Sequence, residues 1–435
     1  MRVCLAYDCL YPWTVGGAER WYRSLAERLA AEGHEVTYLT RLQWDPADPP
    51  AIPGVRVIAV SGRDELYGED GNRRVGPPLR FGWGVLRHLL RRGRDYDVVH
   101  LCSFPYFSVL GAALARPRGR YRLVVDWFEI WSRAYWVEYL GAAGGRIGYA
   151  VQRLCVRVPQ RAQCFSRLHE ARLLEEGLRG EHVLLGGLYD GAASTGAGGL
   201  DATDAGGAHA GAGATDESGE ASASDEDGVP HLEPVAGRPV LNTSPEASAD
   251  APGNEVGLVV FAGRHIAEKR APAAVEAIAL ARAGGLDVRG VIFGDGPQRP
   301  LVLAAIERHA LEGVVTAPGF APREDVDDAM DRALCLLHPS AREGYGLVVI
   351  ESSARGTPVV VAAGADNAAV ELVDEGENGV VAPSGDPTAL AAALREVADA
   401  GEPLRERTRA WFTRNERRLS IEASLERVVE GYAPR

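Results

Sequence analysis

Two α/β domains of the Rossmann-like, doubly wound kind, facing each other across a cleft and joined by a long linker, are the fold class predicted by this chain of 435 residues. Three observations carry that prediction. Strand-like and helix-like segments alternate through the first half, as repeated β-α units with a mostly parallel sheet do. The same scheme recurs in the second half. Between them lies an acidic stretch with almost no apolar content. Length agrees, because a single hydrophobic core rarely serves more than about 250–300 residues.

In the first half, Arg2–Tyr7 is a short apolar run, Gly17–Ala31 sets Trp21, Leu25 and Leu29 near helical spacing, and Glu35–Thr40 is again strand-like. Val55–Val60, Asp97–Cys102, Arg122–Trp127 and Val183–Leu185 add strands, with helical stretches near 81–91, 107–115, 146–157 and 169–178. In the second half Gly257–Ala262, Val288–Phe293, Leu334–His338, Pro358–Ala362 and Gly379–Ala382 read as strands between Ala-rich amphipathic helices such as 272–283 and 387–399. The boundaries that follow are 1–190 for the first domain, 191–254 for the linker, 255–408 for the second domain and 409–435 for a closing helical segment. The linker, rich in Gly, Ala, Asp and Ser, buries too little apolar surface to offset its ordering entropy and reads as disordered. In open α/β sheets ligands bind beyond the strand carboxyl ends, so the cleft is the expected site.

Charge is distributed unevenly. The net value is −13, yet residues 1–190 carry 26 Arg against 21 acids, whereas 191–255 carry one Arg against 12 acids. An acidic total without a basic, aromatic-interleaved groove excludes a nucleic-acid partner. The 6 cysteines form no CxxC pair and read as buried thiols of a reducing, cytoplasmic compartment. No signal-peptide core and no run of about 18 apolar residues occur, so no membrane span is expected. One helix is basic and amphipathic: Arg73, Arg74, Arg80, Arg87, Arg91, Arg92 and Arg94 flank Phe81, Trp83, Leu86 and Leu90, a pattern that suits either an outer helix or peripheral contact with an anionic membrane at the inner face of the plasma membrane.

Lys269 is the single lysine of the chain, five residues after Arg264 in Phe261-Ala-Gly-Arg-His-Ile-Ala-Glu-Lys269. A guanidinium fork and a compact ammonium together neutralise two adjacent phosphoryl groups from different directions. Glycine-bearing loops follow strands at Thr14–Glu19, Gly263-Arg264 and Gly294–Pro297, where helix-start amides form anion sites. The stretch Glu343-Gly-Tyr-Gly-Leu-Val-Val-Ile-Glu351 follows a strand and opens an apolar helix. Along such a helix its two carboxylates stand roughly 12 Å apart at ~1.5 Å rise per residue. That exceeds the about 5–9.5 Å a glycosidase pair requires, so two separate hydroxyl-binding roles fit better.

The series FAGRHIAEK, VIFGDGP, VVTAPGF, LLHPSAREGYGLVVIESSARGTPVVV and ENGVVAPSGDP resembles the donor-binding half of retaining glycosyltransferases of family 4, which have the GT-B fold. YPWTVGGAER and LAAEGHEVTYLT extend the resemblance to the first half, and 409–432 resembles the terminal helices that cross back onto it. The resemblance implies a nucleotide diphosphate sugar donor and a sugar, lipid-linked or small-molecule acceptor, with no cofactor and no metal. Arg264 and Lys269 match the diphosphate pair, Glu351 the ribose-holding acid and Glu343 the acid beside the donor sugar. Gly344, Tyr345, Gly346 and Leu347 match the backbone run at sugar and phosphate, Gly16 and Gly17 the loop closing over the phosphates, and Phe320 the position that meets the base.

One departure stands out. Where the family commonly has a histidine, this chain has Phe128, leaving Asp126 or Glu129 to contact sugar or acceptor. His100 is another polar group at a strand end. Aromatics at Phe104, Tyr106, Phe107, Trp127, Trp131, Tyr135, Trp136 and Tyr139 suit sugar rings or lipid tails, or core packing. The resemblance also leaves open a nucleotide-sugar-binding regulatory partner with impaired catalysis, or an epimerase on the same fold.

Overall fold

The computed structural model describes residues 1–14, 16–65, 74, 76–191 and 257–432. The expected linker from residue 192 onward, Arg73 and the last three residues of the closing segment lie outside the described residues.

The first half runs β1 (Arg2–Ala6), α1 (Gly17–Ala31), β2 (Glu35–Arg41), β3 (Val55–Ser61), α2 (Gly76–Arg92), β4 (Val98–Cys102), α3 (Tyr106–Gly119), β5 (Arg122–Trp127), α4 (Arg133–Val156), β6 (Gln160–Cys164), α5 (Arg167–Glu175) and β7 (Gly180–Leu184). Its seven strands form one parallel sheet in the order β3-β2-β1-β4-β5-β6-β7. Val3, Cys4, Leu5, Val98, Val99 and Leu101 are fully buried, because helices cover both faces of a parallel sheet. Crossovers between parallel strands are right-handed. The connections from β3 through β6 advance across the sheet in one direction and put α2, α3 and α4 on one face. The return from β1 to β2 puts α1 on the other. Side-chain clustering agrees, with Phe81, Val109 and Cys155 in one core and Trp21, Leu25 and Leu29 in another.

The second half runs β8 (Gly257–Ala262), α6 (Ala271–Ala283), β9 (Val288–Phe293), α7 (Arg299–Arg308), β10 (Val315–Gly319), α8 (Arg323–Arg332), β11 (Cys335–His338), β12 (Arg342–Glu343), α9 (Leu347–Ala354), β13 (Val359–Ala362), β14 (Asp366–Asn367), β15 (Gly379–Ala382), α10 (Pro387–Leu419) and α11 (Ile421–Glu430). Six strands form a parallel sheet in the order β10-β9-β8-β11-β13-β15, and β12 pairs with β14 outside it. Strand order reverses between β1 and β4 and again between β8 and β11. Loops leaving such a pair diverge and open a crevice at the carboxyl ends.

α10 is interrupted at Gly401 (φ 52°). The Tyr189 N–H donates to Leu419 O at 3.0 Å, and the Ile421 N–H to Tyr189 O at 2.7 Å. α11 then packs on α1, and Tyr432 is buried with its hydroxyl on His100. The last described residues therefore lie against the first sheet.

Two strands of the large sheets, β6 and β10, were not expected from the sequence, nor were the two-residue strands β12 and β14. β6 spells Gln160-Arg-Ala-Gln-Cys164, yet Gln160 is buried at no hydrogen-bonding loss: Nε2 donates to Cys155 O at 2.8 Å and Val158 O at 3.0 Å, and Oε1 accepts from Trp127 Nε1 at 2.9 Å. β10 ends in Pro318-Gly319, which masks its strand character. α4 begins at Arg133 instead of 146, with a turn at Gly141 (φ 72°) inside it. Among the described residues no helix is long and apolar enough to cross a membrane.

Candidate active site

The carboxyl ends of β8 and β11, the two strands at the second sheet's switch point, deliver the charged groups. After β8 the chain passes Gly263-Arg264 and makes a short 3-10 turn, Ala267–Lys269, before α6. After β11 it turns through Pro339 and Ser340 into β12. The two loops are tied where the Ala341 N–H donates to Glu268 O at 2.8 Å. Asn367 braces the second loop from beneath, its Nδ2 donating to Ser340 O at 3.0 Å and Ala362 O at 2.8 Å.

Lys269 and Glu343, 74 residues apart in sequence, meet in an ion pair. Glu343 Oε1 also lies 2.9 Å from His338 Nε2 and accepts from Ser340 Oγ at 3.1 Å. Burial alone would raise this carboxyl's pKa. The Lys269 ammonium and the His338 ring outweigh it and hold Glu343 well below the usual carboxylate range. Arg264 is exposed, and its side chain makes no ion pair among the described residues. It is a guanidinium available to a ligand.

Glu343 lies in β12, before the helix. Glu351 alone is helical, so the separation expected for a continuous helix does not apply. Glu351 Oε1 is 3.7 Å from Arg20 Nη1 on α1 and 3.6 Å from Arg323 Nη2 on α8. Burial pushes its carboxyl up, against the pull of both guanidinium groups. These are loose contacts that leave lone pairs for a hydroxyl.

The run between the two acids has two backbone requirements. At Gly344 an added Cβ would stand 2.7 Å from Phe128 O and 2.8 Å from Glu129 Cγ, so the first domain leaves no room for a side chain. Gly346, the residue before α9, has φ 98°, which favours glycine. Tyr345 is buried and its hydroxyl donates to Gly186 O at 2.9 Å, an anchor onto the first domain. Leu347 opens α9. Gly16 is the residue before α1 and Gly17 its first, with open space around the latter. Phe320, just after β10, is 73% exposed and packs little of its ring.

Asp126 is placed differently from expectation. It is fully buried, accepts from Trp21 Nε1 at 2.7 Å and lies 2.8 Å from His100 Nε2. Its carboxylate is spent inside the first domain, and a surface role toward sugar or acceptor is corrected to an interior one. His100 is likewise interior, between Asp126 and Tyr432. Phe128 stacks on Phe165 at 4.4 Å.

Glu129 instead faces the second domain. It pairs with Arg342, and its Oε2 accepts from Trp131 Nε1 at 2.7 Å. Arg342 sits over Trp131 (4.7 Å) and Tyr135 (4.4 Å) and donates to Glu268 Oε1 at 3.1 Å, while the Tyr135 hydroxyl donates to the same oxygen at 2.8 Å. Arg342 and Glu268 do not stand out in the sequence by motif, although their places beside Lys269 and Glu343 are a signal. His338 and Ser340 are hidden there too, in a segment that shows only the pattern of a strand and its turn. His169 is a further one: it is buried, and its Nδ1 accepts from the Ile130 N–H at 3.1 Å. Of the aromatics, Trp127 and Trp136 belong to the core, and Trp131 and Tyr135 to this domain contact.

Two family models match the chain: "Glycosyl transferase 4-like domain" over residues 16–186 and "Glycosyl transferases group 1" over residues 248–411. The chain is of the GT4/GT-B glycosyltransferase type. This glycosyltransferase-type chain is 33% identical over 150 residues to an alpha-D-kanosaminyltransferase of Streptomyces kanamyceticus, covering 34% of this chain and 38% of that one. It is 34% identical over 151 residues to a GDP-mannose-dependent alpha-(1-6)-phosphatidylinositol dimannoside mannosyltransferase of Mycobacterium tuberculosis, again with 34% and 38% covered. Those alignments thus span well under half of either relative. Solved GT-B structures align along the whole chain. Sucrose-phosphate synthase of Thermosynechococcus elongatus does so with TM-score 0.68 and 19% identity, covering 99% of this chain and 98% of that one. Anabaena HepE in complex with UDP-glucose does so with TM-score 0.62 and 17% identity, covering 99% of each. At such identities the likeness shows the fold, and the fold is GT-B.

Proposed function

We propose that this protein is a metal-independent, retaining glycosyltransferase that moves a hexose from a nucleotide diphosphate sugar to an acceptor hydroxyl. The observation that carries the reading is the meeting of Lys269 and Glu343 at the switch point, with Arg264 exposed beside them. In the reaction the bond from the anomeric carbon to the diphosphate breaks, the bond to the acceptor oxygen forms, and the acceptor proton leaves with the diphosphate. Negative charge grows on the departing group. Preorganised cations aimed at that charge act most strongly in the transition state, which is what accelerates the step.

Arg264 and Lys269 bind the diphosphate, and its arrival draws Lys269 from Glu343. Glu343 then accepts from a donor sugar hydroxyl, held by His338 and Ser340. Glu351 accepts from the ribose, Phe320 offers a face to the base, and the amides of Gly344–Leu347 and of Gly16-Gly17 line the phosphates. Asp126 acts at one remove, by fixing Trp21 on α1. The mycobacterial relative's name states dependence on GDP-mannose and a phosphatidylinositol dimannoside acceptor, which supports a part in glycan, glycolipid or cell-envelope synthesis.

The test is incubation with UDP-, GDP- and ADP-sugars and a panel of acceptors, with product anomers assigned by NMR. Inverted products would remove the retaining assignment. Affinity for donors with neither transfer nor hydrolysis would assign the chain to a regulatory partner instead.

A further inference from the structure

The helical layer formed by α2, α3 and α4 turns a surface outward that the candidate site does not use. These helices lie side by side on one face of the first sheet, α2 against α3 and α3 against α4, and share one core beneath them. On α2 the spacing 79, 83, 87, 90 sets Leu79, Trp83, Arg87 and Leu90 on a single outward side. Leu114 on α3 and Leu140, Ile147 and Leu154 on α4 are exposed as well; Trp83 reaches 66%, Leu114 71% and Ile147 66%. Seven of the fourteen exposed large apolar side chains among the described residues thus fall on these three helices, a concentration that scattered surface hydrophobics do not show.

Charge on the same helices is one-sided. They hold nine arginines and a single acid, Glu138, in a chain whose net charge is −13. Arg80 is paired with Asp64, Arg92 with Asp95 and Arg153 with Glu176. Arg87, Arg91, Arg118 and Arg146 make no ion pair among the described residues. A basic layer studded with Trp, Leu and Ile matches the boundary between anionic headgroups and acyl chains, where guanidinium groups meet phosphates and the apolar side chains enter. A nucleic-acid backbone would satisfy the arginines and leave the aliphatic side chains nothing to contact.

We propose that the outer face of α2, α3 and α4 docks the protein on an anionic lipid bilayer, with Trp83, Leu114 and Ile147 inserted and Arg87, Arg91, Arg118 and Arg146 on the headgroups. This does not depend on the proposed transfer reaction. The experiment is cosedimentation of the full chain with phosphatidylcholine vesicles lacking or containing phosphatidylglycerol. Binding is expected only with phosphatidylglycerol, and it falls as salt rises. A basic residue at an anionic surface contributes about fivefold to partitioning, so Arg87→Glu with Arg91→Glu lowers it by at least about thirtyfold. Trp83→Ser with Leu114→Ser lowers it further in high salt, where insertion dominates. These side chains are exposed, so thermal unfolding and circular dichroism should stay near wild type and confirm that the variants fold. The proposal is overturned by no sedimentation with phosphatidylglycerol vesicles at low salt, or by unchanged partitioning of the charge-reversed variant. It is also overturned if the protein self-associates, binds no vesicles, and becomes monomeric on Trp83→Ser with Leu114→Ser, which would give this face to a second copy.

Discussion

Replacing Lys269 by methionine separates the electrostatic role of this residue from its structural one. The variant keeps an unbranched stem out to Cε and removes the charged nitrogen, leaving the buried Glu343 carboxylate with His338 and Ser340 as its neighbours. Breaking a buried ion pair from one side costs about 3–5 kcal/mol. Lys269 is 22% exposed and Glu343 11% by side chain, so solvent reaches the pair and about 2 kcal/mol is the better figure here. For domains of this size that corresponds to a fall in Tm of about 4–8 °C. Burial, no longer opposed by the ammonium, raises the Glu343 pKa relative to wild type. Transfer loses a charge-assisted contact of about 1.5–3 kcal/mol, so initial rates fall roughly tenfold to a few hundredfold. Combining Lys269→Met with Glu343→Gln distinguishes the two effects. The double variant has no orphaned charge and recovers most of the stability lost in the single variant, while transfer stays low. Unfolding by calorimetry and initial rates with saturating donor provide the measurements. Wild-type turnover in Lys269→Met would refute the diphosphate role, and a double variant no more stable than the single one would refute the buried-pair account.

Glu351→Gln should raise the donor KM about tenfold with little change in kcat, because one hydrogen bond to a charged acceptor is lost in ground and transition states alike; an unchanged KM in steady-state kinetics would remove the ribose assignment. Transfer should persist in EDTA, since Arg264 and Lys269 supply the positive charge at the diphosphate; loss of activity restored by Mg²⁺ would contradict the metal-independent mechanism. Burial lowers the His169 pKa to about 4, so between that value and the unfolded value of about 6.5 the unfolded chain binds the extra proton. Its contribution is therefore fully present above about pH 6.5 and lost as pH falls toward 4, on the order of 3 kcal/mol at most, and His169→Gln should flatten the Tm profile over that window.

Much of the architecture was legible because burial on both faces writes parallel strands as apolar runs, and because loops at strand carboxyl ends need glycine. Residues that act through charge at a distance were legible where composition made them rare, as with Lys269. What escaped did so for definite reasons. Gln160 and Gln163 in β6 are polar side chains whose burial is made tolerable, for Gln160, by partners on three separate segments, which local patterning does not reveal. Asp126 has the residue type and strand-end position of a catalytic acid, but Trp21 and His100, brought in from 105 and 26 residues away, claim its oxygens. The closing helix explains the burial of His100 only through Tyr432, at the far end of the chain.

The two loops of the second domain divide their work by alternation. In Glu268-Lys269 and in Arg342-Glu343, adjacent residues serve opposite sides. Glu268 and Arg342 bond to each other and reach the first domain through Tyr135, Trp131 and Glu129, whereas Lys269 and Glu343 bond to each other in the candidate site. Each cleft-facing group is thus one peptide unit from a group gripped by the opposite domain. Arg342 is suited to that grip as lysine is not. Its planar guanidinium stacks on two aromatic rings while keeping in-plane N–H groups for Glu129 and Glu268, so the cation–π contacts and the ion pairs do not compete. A lysine ammonium would have to choose between ring faces and carboxylates. The position of the first domain and the position of the Lys269–Glu343 pair are for this reason set by the same few backbone atoms.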